Sequence, residues 1–131
     1  MRFLFFFISF VFINITLFGQ SRLGSSASDI KAEFYEKTYK LKAEYDKDND
    51  YSITIETNKA TVTYYFDKEK ICTGTAIIPN AQGDLNYYVE LYNKQYVIVN
   101  SKEWKMYSNE GIANISLVYP DGGGYYFLWT R

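Results

Sequence analysis

The rhythm of apolar positions divides the chain into three stretches. Residues 3–18 are apolar with few breaks, at Ser9, Asn14 and Thr16. Further on, Ile30, Phe34, Leu41 and Tyr45 recur at helical spacing, with Tyr35 and Tyr39 beside them. Lys31, Glu33, Glu36, Lys37, Lys40 and Glu44 occupy the remaining positions. That period predicts an amphipathic helix ending near Tyr45. Ser26 or Ser28 can cap its start, because a serine oxygen accepts a free N–H of the first turn. From Tyr51 the period drops to two. Alternating runs at 51–56, 60–66, 71–78, 85–92, 95–100, 103–107, 113–119 and 125–130 are separated by turn-forming clusters such as Asn58-Lys59, Asn93-Lys94 and Asp121-Gly122-Gly123-Gly124. Short alternating runs joined by short turns read as an antiparallel meander.

The fold expected is therefore α+β: one N-terminal amphipathic helix packed on an antiparallel meander sheet of about 6–8 strands. The competing architecture is a small closed β-barrel. In the run 71–78, strict alternation puts Cys72, Gly74, Ala76 and Ile78 on one face, where small side chains let a helix approach closely; a bulge at Gly74 is the other reading. No internal repeat is legible.

The first stretch changes the length that matters. One positive charge at Arg2 precedes the apolar run, and small residues follow at Gly19 and Ser21. That is the layout of a secretory signal peptide, with cleavage after Gly19 or Ser21. The expected organisation is a signal at 1–19, a flexible lead-in at 20–28 and a single domain at 29–131. Cys72 is the only cysteine and lies far from the cleavage region, so attachment as a lipoprotein is not expected. The expected location is the periplasm or the exterior, with no stable membrane span once the signal is removed.

Composition narrows the chemistry. The chain has 14 Lys+Arg against 15 Asp+Glu, a balance unlike the basic excess of nucleic-acid binders. It has no histidine, which removes His-based nucleophile activation and His-ligated zinc. A single cysteine allows no intrachain disulfide. Cys72 in an apolar run reads as a buried, inert thiol. Ser28-Asp29-Ile30-Lys31 is the one Ser-x-x-Lys after the signal, and helix capping accounts for its serine.

Two polar features invite a function. Asp46, Asp48 and Asp50 alternate in a short loop, as oxygen ligands for Ca²⁺ would. Tyr51 and Thr57 stand where an EF-hand needs Gly and Glu, so only a looser calcium loop fits; the ordinary reading is a solvated turn. Glu90, between Tyr88 and Tyr92, is the candidate acid for a carboxylate hydrolase, but no second acid can be assigned.

Tyrosine is the larger signal. Aromatics make up 20% of the chain; most phenylalanines lie in the first stretch, whereas all 14 tyrosines lie beyond it. Alternation sets Tyr65, Tyr88, Tyr92, Tyr107 and Tyr126 opposite the aliphatic positions. Tyrosine offers rigid amphipathic area at low entropic cost, which suits a binding surface. The function expected is an exported, non-enzymatic module that contacts a protein or glycan through a tyrosine-rich sheet face or an edge strand. The alternatives are a lipocalin-like carrier and, third, the small hydrolase.

Overall fold

All but one of the period-two segments assemble into one antiparallel sheet. The computed structural model describes residues 22–35 and 40–131, and the expected signal at 1–19 lies outside the described residues. Helix α1 (Ala27–Tyr35) is followed by strands β1 (Lys40–Tyr45), β2 (Tyr51–Glu56), β3 (Ala60–Phe66) and β4 (Cys72–Pro79). Helix α2 (Gln82–Gln95) is followed by β5 (Val97–Asn100), β6 (Glu103–Ser108), β7 (Gly111–Val118) and β8 (Tyr126–Thr130). The spatial order is β1-β2-β3-β4-β8-β7-β6-β5, with every neighbouring pair antiparallel. The sheet is open, ending in β1 on one side and β5 on the other; the barrel alternative is not adopted.

Two expectations are corrected. The run 85–92 is not a strand but the middle of α2. Its alternation competes with a helical spacing in the same residues: Leu85, Tyr88, Tyr92 and Tyr96 lie on one side of a helix, with Asp84 in its first turn and Lys94 in its last. Docking that aromatic side onto the sheet decides for helix over the strand propensity of Tyr and Val. Conversely, the residues read as the end of the first helix form β1. There Leu41, Ala43 and Tyr45 pair with Ile55, Ile53 and Tyr51, so period two outweighs the helical spacing of Leu41 and Tyr45. The first described helix is confined to Ala27–Tyr35, where Ala27, Ile30 and Phe34 are buried. Burying an Ile or Phe side chain is worth about 1.5–3 kcal/mol, which a helix of this length needs, since its own propagation is marginal.

The lead-in is tied down just before α1. Gly24 N–H donates to the Cys72 carbonyl, Cys72 N–H to Ser25, and Ala27 N–H to Lys70. Ser26 Oγ accepts the Asp29 N–H at 3.2 Å, the cap expected from sequence.

The element order contains a repeat that the sequence hid. A helix followed by a four-stranded meander occurs twice, and β4 and β8 join the halves edge to edge. The corresponding strands β3 and β7 carry it most visibly. Ala60 and Val62 face the core in one, Ala113 and Ile115 in the other, and small polar residues stand between them.

Both helices lie on the same side of the sheet. Phe34 of α1 stacks near Tyr64 of β3, with ring centroids 6.2 Å apart, while Tyr92 of α2 meets Phe127 of β8 at 5.1 Å. The core lies between, built from Ile53, Ile55, Val62, Ile77, Ile115 and Trp129 among others. In β4 the expected face of small residues is broken. Tyr65 and Phe66 pair with Gly74 and Cys72, so Thr73 is an extra residue and the alternation reverses there. Cys72 consequently shares the core face with Thr75 and Ile77, and Gly74 turns to the other side. The bulge reading is the one realised.

Candidate functional site

The predicted tyrosines separate into two groups. Tyr88 and Tyr92 point inward from α2, and Tyr92 is fully enclosed by Tyr88, Tyr96, Trp104, Phe127 and Trp129, at centroid distances of 5.1–6.0 Å. Its hydroxyl accepts the indole N–H of Trp129 at 3.3 Å. Burial pushes the Tyr92 phenol well above its ordinary pKa, and burial likewise raises Tyr88 to about 12. These rings build the core. Glu90 is exposed on the same helix and faces away from them.

Tyr65, Tyr107 and Tyr126 do share the face that carries no helix, as the register of β3, β6 and β8 requires. They are nevertheless dispersed. Four strand intervals separate β3 from β6, roughly 19 Å at the usual spacing of neighbouring strands. Tyr126 pairs with Val118, three face-sharing positions along the sheet from Tyr107 and its partner Ile112. Among the described residues the uncovered face therefore presents these three rings apart from one another, interspersed with Thr54, Thr63, Ser116 and Lys105 and with the exposed Ile78 and Ile112.

The acidic loop is organised around its own backbone. Asp46 Oδ1 accepts the N–H groups of Asp48 and Asp50 at 2.8 and 3.0 Å, and Asn49 takes a left-handed conformation at φ 65°. The β3–β4 turn repeats the arrangement without three acids: Asp67 Oδ1 accepts from Glu69 and Ile71, and Lys70 stands at φ 61°. Among the described residues no group of three or more acidic or thiol side chains converges as a metal site. Cys72 is buried, its Sγ donating to the Gly74 carbonyl at 3.4 Å, and burial raises its pKa.

The two sheet edges differ sharply. In β1, Lys40, Lys42 and Glu44 alternate along the strand, with ion pairs Lys40–Glu56 and Lys42–Glu44. Charges of this kind discourage edge-to-edge pairing. In β5 the sequence is Val97-Ile98-Val99-Asn100, and the three apolar residues are 52%, 55% and 48% exposed. Among the described residues β5 pairs only with β6, so alternate backbone N–H and C=O groups along its other side face solvent. The segment 95–100 is legible as a strand, but nothing in its alternation shows that it ends the sheet.

Beside the start of β5 lies an open groove of about 780 Å³, between the end of α2, β5, β6 and the β6–β7 turn. Lys94, Tyr96, Val97, Lys105, Tyr107 and Arg131 contribute to its wall. Arg131 is engaged by Glu110 at 3.1 Å and also donates to the Leu23 carbonyl. Lys105 stands directly across the ladder from Val97.

No family model matches this chain, and no curated protein or solved structure is significantly similar to it.

Proposed function

We propose that this protein is an exported binding module that engages a partner protein by adding an extended segment of that partner to the β5 edge. The observation that carries the reading is the exposed, uncharged Val97-Ile98-Val99 on a strand whose outer side is unpaired among the described residues, at the opposite end of the sheet from an edge that is guarded by charge. An added strand would take up the free backbone groups, and the alternate Val and Ile side chains would supply apolar area. The dispersion of Tyr65, Tyr107 and Tyr126 favours this edge over a glycan platform, because the three rings lie too far apart to stack together on one short glycan. The open sheet provides no barrel lumen for a lipocalin-like carrier. Export is supported by the apolar run behind Arg2 and the small residues at Gly19 and Ser21. Among the described residues no helix is long and apolar enough to cross a membrane.

The test uses an acetylated, amidated peptide of alternating threonine and valine with glutamine at both ends. Amide shifts on titration should be largest across Val97–Asn100, and a version N-methylated at alternate residues should not bind. Equal binding of the methylated peptide would overturn strand addition.

A further inference from the structure

The β5 edge is flanked by cations that the strand addition proposed above does not itself use. Lys94 closes α2, Lys102 lies in the β5–β6 turn and Lys105 pairs with Val97; the acids nearby are Glu103, which pairs with Asn100, Glu110, which Arg131 engages, and Glu90, one turn before Lys94. Among the described residues neither Lys94 nor Lys105 belongs to an ion pair, whereas Arg131 beside them is balanced by Glu110. Both lysines border the groove at the start of β5. We infer that the segment received by β5 carries an acidic side chain, whose carboxylate enters this groove between Lys94 and Lys105.

The inference rests on strand addition and specifies its occupant. Three features of the geometry favour an acidic partner segment over a second copy of this chain. A strand laid along β5 has one end beside Val97, and Lys105 is the side chain across the ladder at that point. A carboxylate there meets both lysines at once in the open groove, an attraction that salt screens. A symmetric pairing of two β5 strands would instead bring Lys94, Lys102 and Lys105 of both copies to one seam, and like charges across paired strands are destabilising. The valine and isoleucine side chains supply affinity without selecting a partner; the lysines supply the selection.

The experiment uses the chain without its apolar leader at residues 1–19 and three peptides with the same threonine–valine centre, flanked at both ends by glutamate, glutamine or lysine. Affinities are measured by isothermal titration at low salt. The glutamate peptide should bind about tenfold more tightly than the lysine peptide, as one modest ion pair gained by the first and a similar like-charge repulsion met by the second together imply. Its advantage should shrink at high salt. Lys94→Glu with Lys105→Glu should invert the order; Lys94 is exposed and Lys105 half-buried, and an unchanged circular dichroism spectrum confirms folding. If all three peptides bind equally and Ile98→Pro abolishes that binding, strand addition stands and the carboxylate inference fails. If none binds, both fail. Concentration-dependent dimerisation that Ile98→Pro abolishes would assign the edge to a second copy and overturn the inference as well.

Discussion

The indole N–H of Trp104 donates to Asn93 Oδ1 at 2.8 Å, fastening the last turn of α2 to β6. Trp104 is wholly buried and its ring lies edge-on to Tyr92, so this bond sets how α2 sits on the sheet and how β5 leaves it. Asn93→Ala strands a buried donor and should cost about 1–2 kcal/mol, the usual penalty for an orphaned N–H. Asn93→Asp keeps an acceptor and should recover most of that loss. Urea unfolding followed by tryptophan fluorescence measures both; an alanine variant as stable as the parent would show that the bond holds nothing.

Tyr64 presents the opposite case. Its side chain is fully buried near Phe34, and its hydroxyl finds no hydrogen-bond partner among the described residues. Removing an unsatisfied buried hydroxyl relieves a desolvation cost, so Tyr64→Phe should stabilise the protein by about 1 kcal/mol. A lower unfolding midpoint for the variant would mean that the hydroxyl is bonded after all.

Burial raises the phenol pKa of Tyr64, Tyr92 and Tyr96 well above the ordinary value, and that of Tyr88 to about 12. In the unfolded chain these groups ionise near pH 10. Because the neutral form is favoured in the fold, their contribution is complete below pH 10. It is lost as pH rises from there toward the folded values, since only the unfolded state gains by ionising. Tyrosinate absorbance at 295 nm should therefore show a late step from these four rings, coincident with loss of near-ultraviolet dichroism. A single smooth titration, finished while the fold is intact, would contradict the enclosed cluster.

The turns at Asp46 and Asp67 are built alike, each carboxylate bonding two backbone N–H groups. Asp46→Ala and Asp67→Ala should each destabilise by about 1 kcal/mol, as loss of comparable caps does. Asp48→Ala should be nearly silent. The melting temperature should be the same in EDTA and in millimolar Ca²⁺. A rise with Ca²⁺ that Asp48→Ala abolishes would return the loop to the calcium reading.

Much of the architecture is written in local pattern. Tyr51-Ser52-Ile53-Thr54-Ile55 and Ala60-Thr61-Val62-Thr63-Tyr64 alternate without ambiguity, and both are strands with the expected face inward. The turns around Asn58-Lys59 and Asp121–Gly124 fall where small and polar residues predict them. The segments where local pattern and structure differ carry two periods at once. Lys40–Tyr45 and Gln82–Gln95 each satisfy helical and alternating templates, and local preference does not choose between them.

Only tertiary structure resolves that ambiguity. Ala43 finds Ile53 across a ladder, and Tyr92 finds Phe127, Trp104 and Trp129 beneath a helix; neither partner is local, so neither choice is visible in a short window. The same holds for the site. Residue order alone shows a chain rich in tyrosine, without histidine, that carries a Val-Ile-Val run between lysines. It could not determine that Tyr88 and Tyr92 belong to the interior, or that Val97–Asn100 ends the sheet. Strand order depends on pairings between residues far apart in the chain, and burial depends on which face those pairings leave covered.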